Sequence, residues 1–145
     1  MLRARLGGPQ RPPGTSTVNT PTDSLTILGH TIRHAVEHVE CFPAPLGCTR
    51  VRFRTDELSS MCPVTEQPDL SSVVIDYEPD TRCIESKSLK LYLWGFRDRA
   101  VFAEALAAEI ANEVMTQAQP KRVTVVVTQR LRGGIEVETT SELVR

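Results

Sequence analysis

The chain has 145 residues, enough for one domain with a single sizeable core. Its formal net charge of -1 and pI of about 6.3 exclude a global electrostatic pull toward nucleic acid or anionic membrane. Hydrophobic residues make up 40%, yet no run approaches the roughly 18 apolar residues of a membrane span, so neither a nucleic-acid nor a membrane partner is expected.

Residues 1–22 carry Pro9, Pro12, Pro13 and Pro21 with Gly7, Gly8 and Gly14, and no acidic residue. They read as a disordered, mildly basic tail ahead of one domain over residues 23–145. Arg3 and Arg5 are not followed by the apolar core of a secretory signal. The cysteines at 41, 48, 62 and 83 form no CxxC pair. A reduced cytoplasmic setting is therefore expected, without a structural zinc.

From Leu25, the residues Ile27, Ile32, Val36 and Val39 predict an irregular stretch that becomes extended and ends near Phe42. His30, His34 and His38 recur every four residues, but no acidic or cysteine partner falls at ligand spacing. They read as solvated histidines, and no metal is expected. After Pro43 and Pro45, residues Thr49–Thr55 alternate, with Val51 and Phe53 opposite the arginines, which predicts a half-buried strand.

A loop follows, Met61-Cys62-Pro63-Val64-Thr65-Glu66-Gln67-Pro68-Asp69-Leu70, which its two prolines keep out of regular structure. Ser72–Glu78 is the next strand, with Val73, Ile75 and Tyr77 on one face and a Pro79-Asp80 turn after it. Between Ser86 and Phe96 the period becomes helical, on Leu89, Tyr92, Leu93 and Phe96. A second helix is predicted from about Asp98 to Thr116, built on Phe102, Leu106, Ile110 and Val114 and stopped by Pro120.

Val123–Thr128 is a strand by β-branched content. Arg132-Gly133-Gly134 makes a tight turn, and Ile135, Val137 and Thr139 begin the last strand. The order ββααββ predicts an α+β fold, an antiparallel four-stranded sheet with two helices on one face. Such a sheet has two open edges, and a homo-oligomer would cover them.

Two stretches carry the chemistry. A thiol on a polar, turn-rich loop is a candidate nucleophile, and Asp69 on the same loop is its candidate acid. In Glu85-Ser86-Lys87-Ser88-Leu89-Lys90, Ser86 or Ser88 would cap the helix and Glu85 would favour its positive end. Lys87 and Lys90 lie three apart, where two ammonium groups repel unless an anion sits between them. Arg132, with Arg130 close by, is a further candidate phosphate contact.

Cys62-Pro63-Val64-Thr65-Glu66-Gln67-Pro68-Asp69 together with Glu85-Ser86-Lys87-Ser88-Leu89-Lys90-Leu91-Tyr92 resembles the signature of the NADPH-dependent 7-cyano-7-deazaguanine reductases, in their short, single-module form. These are nitrile reductases of queuosine biosynthesis, related in fold to GTP cyclohydrolase I. The resemblance runs from about Leu25 to Glu138 and includes Arg132-Gly133-Gly134-Ile135. It implies a tunnelling fold, in which subunits pair their sheets into a barrel with active sites at the interfaces.

It also implies that Cys62 forms a covalent thioimide with the nitrile carbon and that Asp69 donates a proton. Ile84, Glu85 and Ser86 would border the deazaguanine, and Lys87, Lys90 and Arg132 would hold NADPH phosphates. Glu104 would read the guanine-like edge. Two positions depart from the family pattern. Ala103 stands where the family usually has a substrate-contacting histidine, and Leu106 where some relatives carry a cysteine. An amidine-forming relative, which adds ammonia to the same nitrile, is the alternative reading, and a deazaguanine-binding module without turnover is another.

Overall fold

Alternation of β-branched and polar residues builds the sheet, and 3.6-residue apolar periodicity builds the layer that covers it. The structure is a computed structural model and describes residues 25–145; the tail expected over 1–22 lies outside the described residues. Strands β1 (Cys41–Pro43) and β4 (Arg82–Ile84) form a two-stranded antiparallel ribbon. Strands β2 (Val51–Met61), β3 (Pro68–Glu78), β5 (Arg122–Arg132) and β6 (Ile135–Val144) form the main sheet in the order β2-β3-β5-β6, antiparallel throughout. Helices α1 (Ser86–Trp94) and α2 (Ala103–Ala118) complete the α+β fold.

The core lies between one sheet face and the helices. Val73, Ile75 and Tyr77 of β3 and Val123, Val125 and Val127 of β5 join Leu106, Ile110 and Val114 of α2 in one buried cluster. Side chains this well enclosed contribute about 1.5–3 kcal/mol each through burial. Tyr77 brings its hydroxyl into this interior, where it accepts the Ile84 N–H at 2.9 Å and ties β4 down. Among the described residues no helix is long and apolar enough to cross a membrane.

Several boundaries differ from the sequence expectation, each for a physical reason. β2 runs to Met61 rather than ending at Thr55, because an irregularity between Thr55 and Leu58 absorbs one extra residue. Inward positions change there from odd (Val51, Phe53) to even (Leu58, Ser60), so the alternation fails at Asp56-Glu57 although the strand continues. β3 begins at Pro68, which pairs with Met61 at the strand end, a position proline tolerates. Asp69 is therefore on a strand, not in the loop.

β5 shows the same device. Its pairing with β6 shifts between Gln129 and Arg132, after which the inward parity of Val123, Val125 and Val127 passes to Arg132. Gly133 and Gly134 close the hairpin with φ of 60° and 80°, a left-handed conformation that glycine adopts without strain.

The second helix starts at Ala103, not Asp98. Residues before it run alongside the end of β2: Met61 N–H donates to the Arg99 carbonyl at 2.8 Å, and Val101 N–H to the Met61 carbonyl at 3.1 Å. This short parallel bridge sets the end of β2, where Cys62 follows, against the segment that leads into α2.

Candidate active site

Cys62 stands one residue beyond β2 and Asp69 one residue into β3, so the hairpin between them forms the candidate reactive loop. The loop is closed at its neck by two backbone bonds: Cys62 N–H to Gln67 O at 2.9 Å and Glu66 N–H to Cys62 O at 3.0 Å. Glu66 takes φ of 57° to complete the turn. The turn aims donors at the sulfur. The Thr65 hydroxyl, followed by the Thr65 and Val64 N–H groups, holds the Cys62 thiol below its ordinary range. Slight desolvation and the negative charge of Asp69 oppose this without overcoming it.

Two other thiols behave differently. Burial pushes Cys41 up to about 11, and burial together with the adjoining Cys48 raises Cys83. The Cys62 thiol is thus shifted toward the thiolate, where burial moves Cys41 and Cys83 the other way.

Asp69 is buried on the inward face of the sheet. Its Oδ1 forms an ion pair with Arg132 Nη2 at 2.7 Å. The same guanidinium donates to the Pro68 carbonyl at 2.6 Å and to Thr65 Oγ1 at 3.3 Å. Directly across the ladder from Asp69 is Ser60, and Ser71 is the next inward residue of β3. Both serine hydroxyls are fully buried and lack a hydrogen-bond partner.

Ala103 and Glu104 occupy the first turn of α2, beyond the bridge to Met61. Ala103 is buried at 3% exposure, and its carbonyl accepts from Thr139 Oγ1 at 3.1 Å. Glu104 is exposed, where its charge complements the positive end of the helix.

The second group gathers at α1. The helix cap is Glu85, not a serine: its carboxylate accepts from Lys87 N–H at 2.7 Å and Ser88 N–H at 2.8 Å. Ser88 is buried instead, donating from Oγ to Glu85 O at 2.8 Å and accepting from Glu40 N–H at 2.8 Å. The two lysines part company. Lys87 Nζ donates to the carbonyls of Ile27, at 3.0 Å, and His30, whereas Lys90 is exposed. No anion is needed to relieve repulsion between them.

Ile84, Glu85 and Ser86 line a cavity of about 450 Å³ with Phe42, Cys48 and Phe53. Ser86 and Lys90 line a second, of about 670 Å³, with Arg54, Glu57 and Trp94 along the open edge of β2. Cys62 and Asp69 line neither. One chain thus forms a reactive end and an α1 group without joining them in one cavity.

The histidines that recur in the sequence disperse. His34 Nδ1 donates to the Ala35 carbonyl at 2.8 Å, and His38 Nδ1 pairs with Glu113 Oε2 at 3.2 Å. Thr65, Ser60 and Ser71 belong to the reactive end but escaped sequence reasoning. Thr65 was visible as a hydroxyl three residues after the thiol in a proline turn. The serines became inward-facing partners only through the β2 bulge and strand register.

Comparison with known proteins places this geometry. Residues 68–144 match the family model described as QueF-like protein. The chain is 40% identical over 100 residues to an NADPH-dependent 7-cyano-7-deazaguanine reductase of Alkalilimnicola ehrlichii, covering 69% of this chain and 78% of that one. It is 38% identical over 118 residues to a protein of the same name from Frankia casuarinae, covering 81% and 94%. Among solved structures, the apo form of the archaeosine synthase QueF-Like superposes with a TM-score of 0.62 at 28% identity, over 65% of this chain and 92% of that one. The chain belongs to the QueF-like family.

Proposed function

We propose that this chain is an NADPH-dependent oxidoreductase that reduces the nitrile of 7-cyano-7-deazaguanine to the 7-aminomethyl product, within queuosine biosynthesis for tRNA modification, in line with relatives that carry the name NADPH-dependent 7-cyano-7-deazaguanine reductase. The observation that carries the reading is the thiol of Cys62, lowered by the Thr65 and Val64 donors and set beside buried Asp69.

Cys62 acts as the nucleophile. Its sulfur bonds to the nitrile carbon and one C–N π bond opens, while the proton given up by the thiol passes by way of the Asp69 carboxylate to nitrogen, which gives a thioimide. NADPH, when bound, supplies two hydride equivalents in turn. Asp69 serves nitrogen as its proton route, and the Cys62 sulfur leaves as thiolate, stabilised by the same Thr65 and Val64 donors.

The α1 group serves recognition. Its Ile84, Glu85 and Ser86 border the heterocycle, and Glu104, from the first turn of α2, accepts two N–H groups from the guanine-like edge. The cavity with Arg54, Ser86, Lys90 and Trp94 offers two cations, a hydroxyl and an aromatic ring, which fits a phosphate-bearing dinucleotide. Lys90 is free to meet phosphate; Lys87 and Arg132 would first leave the oxygens they hold.

The separation of the reactive end from the α1 group, and the open edges of β2 and β6, support a homo-oligomer. In it one chain's α1 group completes its neighbour's reactive end, in the manner of a tunnelling-fold barrel. Mixing Cys62→Ala protein with Lys90→Ala protein would then raise turnover at low NADPH above that of either protein alone.

The direct test is to incubate the protein with 7-cyano-7-deazaguanine and NADPH, following cofactor oxidation and product mass. Asp69→Asn should lower the rate on the order of 10²–10⁴-fold. The structural likeness to an archaeosine synthase keeps amidine formation as the second reading. Consumption of ammonia with no oxidation of NADPH would select it.

A further inference from the structure

We propose that Arg132 is a positioning residue for the reactive pair, fixing Thr65 and Asp69 around Cys62. This goes beyond its expected place as a phosphate contact, and it rests on the reading of Cys62 as nucleophile and Asp69 as acid.

Three oxygens converge on one guanidinium: Asp69 Oδ1, ion-paired at 2.7 Å, and two hydrogen-bond acceptors, the Pro68 carbonyl at 2.6 Å and Thr65 Oγ1 at 3.3 Å. They come from the reactive loop and the first residues of β3. Arg132 itself comes from the end of β5, so it staples the hairpin that carries Cys62 to the hairpin that closes at Gly133-Gly134. The planar fork of donors suits such a site, and a lysine ammonium does not present the same geometry.

The contact with Thr65 has a direction. A threonine hydroxyl has one hydrogen to give and two lone pairs. Arg132 occupies a lone pair, so the hydrogen remains for the Cys62 sulfur, and that hydroxyl is the chief cause of the lowered thiol. The contact with Asp69 acts in the same sense. The charge of Asp69 opposes thiolate formation, and the guanidinium beside it offsets that charge.

The β5 irregularity between Gln129 and Arg132 is what makes this possible. Without it Arg132 would keep the outward parity of Thr124, Val126 and Thr128, and Asp69 would face a β5 side chain of the opposite set.

The test follows alkylation of Cys62 by iodoacetamide across a pH series, resolved by peptide mass, in the full-length protein. Thr65→Val should move the profile to higher pH and slow labelling at neutral pH about tenfold. Thr65→Ser should restore it. Arg132→Ala should shift the profile in the same direction, and Arg132→Lys should recover little. An unchanged Cys62 profile in Arg132→Ala, with a large rise in NADPH KM, overturns the proposal and returns Arg132 to the cofactor. Thr65 is exposed on its loop, so Thr65→Val decides its half of the relay even if Arg132→Ala does not fold; an unshifted profile there overturns it equally. Absence of a nitrile adduct on wild-type Cys62 instead counts against the nucleophile reading, while the labelling profiles still decide the role of Arg132.

Discussion

Arg132 Nη2 lies 2.7 Å from Asp69 Oδ1, and the two residues reach each other from strands that are neighbours in the sheet, β5 and β3. Asp69 is inward by the plain alternation of β3; Arg132 is inward only because β5 carries an extra residue before it. The sheet's second irregularity, in β2, brings Ser60 inward opposite the same aspartate. Two bulges therefore converge on one carboxylate, a placement in keeping with bulges that re-aim side chains at active sites.

The first prediction concerns the thiol. Because hydrogen bonds from Thr65 and Val64 depress the Cys62 thiol, its thiolate persists to lower pH than that of an ordinary cysteine. Burial works the other way at Cys41 and Cys83. Labelling at neutral pH should modify Cys62 well ahead of those two, and protein plus nitrile without NADPH should gain the substrate's mass on the Cys62 peptide alone. Adduct on Cys41, Cys48 or Cys83 would contradict the assignment.

The second concerns cofactor charge. Lys90 is exposed beside Arg54 and Ser86, whereas Lys87 is spent on backbone carbonyls. Lys90→Ala should raise the NADPH KM with little change in adduct formation, and the preference for NADPH over NADH should shrink. Lys87→Ala should instead cost stability, because it frees the Ile27–His30 segment; a thermal melt separates the two effects. Equal use of NADH and NADPH by the native protein would count against this placement.

How far the sequence carried these conclusions depends on the residue. The order ββααββ was legible because Val51 and Phe53, Val73 through Tyr77, and Val123 through Val127 alternate cleanly, and because Leu89, Tyr92, Leu106 and Ile110 keep a helical period. Asp56-Glu57 hid the rest of β2, since a bulge looks like a strand end to any test of alternation. Asp98 and Arg99 imitated a helix start, but Asp98 lies in the turn that follows α1, and residues from Arg99 to Val101 are held by Met61 across the chain. Cys62 and Asp69 were visible as candidates for chemistry. Thr65 and Arg132 were not visible as their partners, because neither a turn's donor directions nor a shifted register is written in residue spacing.

The third prediction concerns the two serines. Ser60 and Ser71 keep fully buried hydroxyls without partners, and an unsatisfied buried hydroxyl costs about 1–3 kcal/mol. Ser71→Ala removes that group in a site already shaped for it. Its unfolding free energy should be unchanged or higher by up to about 1 kcal/mol. A loss of more than that would mean that the Ser71 hydroxyl is satisfied in solution and belongs to the polar network around Asp69.

The last prediction turns on Ala103, which stands where the family usually carries a histidine. Thioimide formation needs a thiolate and one proton for nitrogen, and Cys62 with Asp69 can provide both. Reduction asks for more, because each hydride delivery must be matched by a proton on nitrogen. Losing a positioned imidazole there typically costs about 10²–10⁴ in rate. Adduct formation should therefore be fast and turnover to the amine slow. Ala103 also bears a structural load. It is 3% exposed at the start of α2, with its carbonyl held by Thr139, so a larger side chain must displace neighbours at about 1–3 kcal/mol. Ala103→His should thus melt at lower temperature yet speed the reduction steps more than adduct formation. Single-turnover kinetics separates the two stages. If the native protein already turns over briskly and Ala103→His leaves the reduction steps unchanged, protons reach the nitrogen by another route, and the buried polar cluster of Ser60, Asp69 and Ser71 is the first place to look for it.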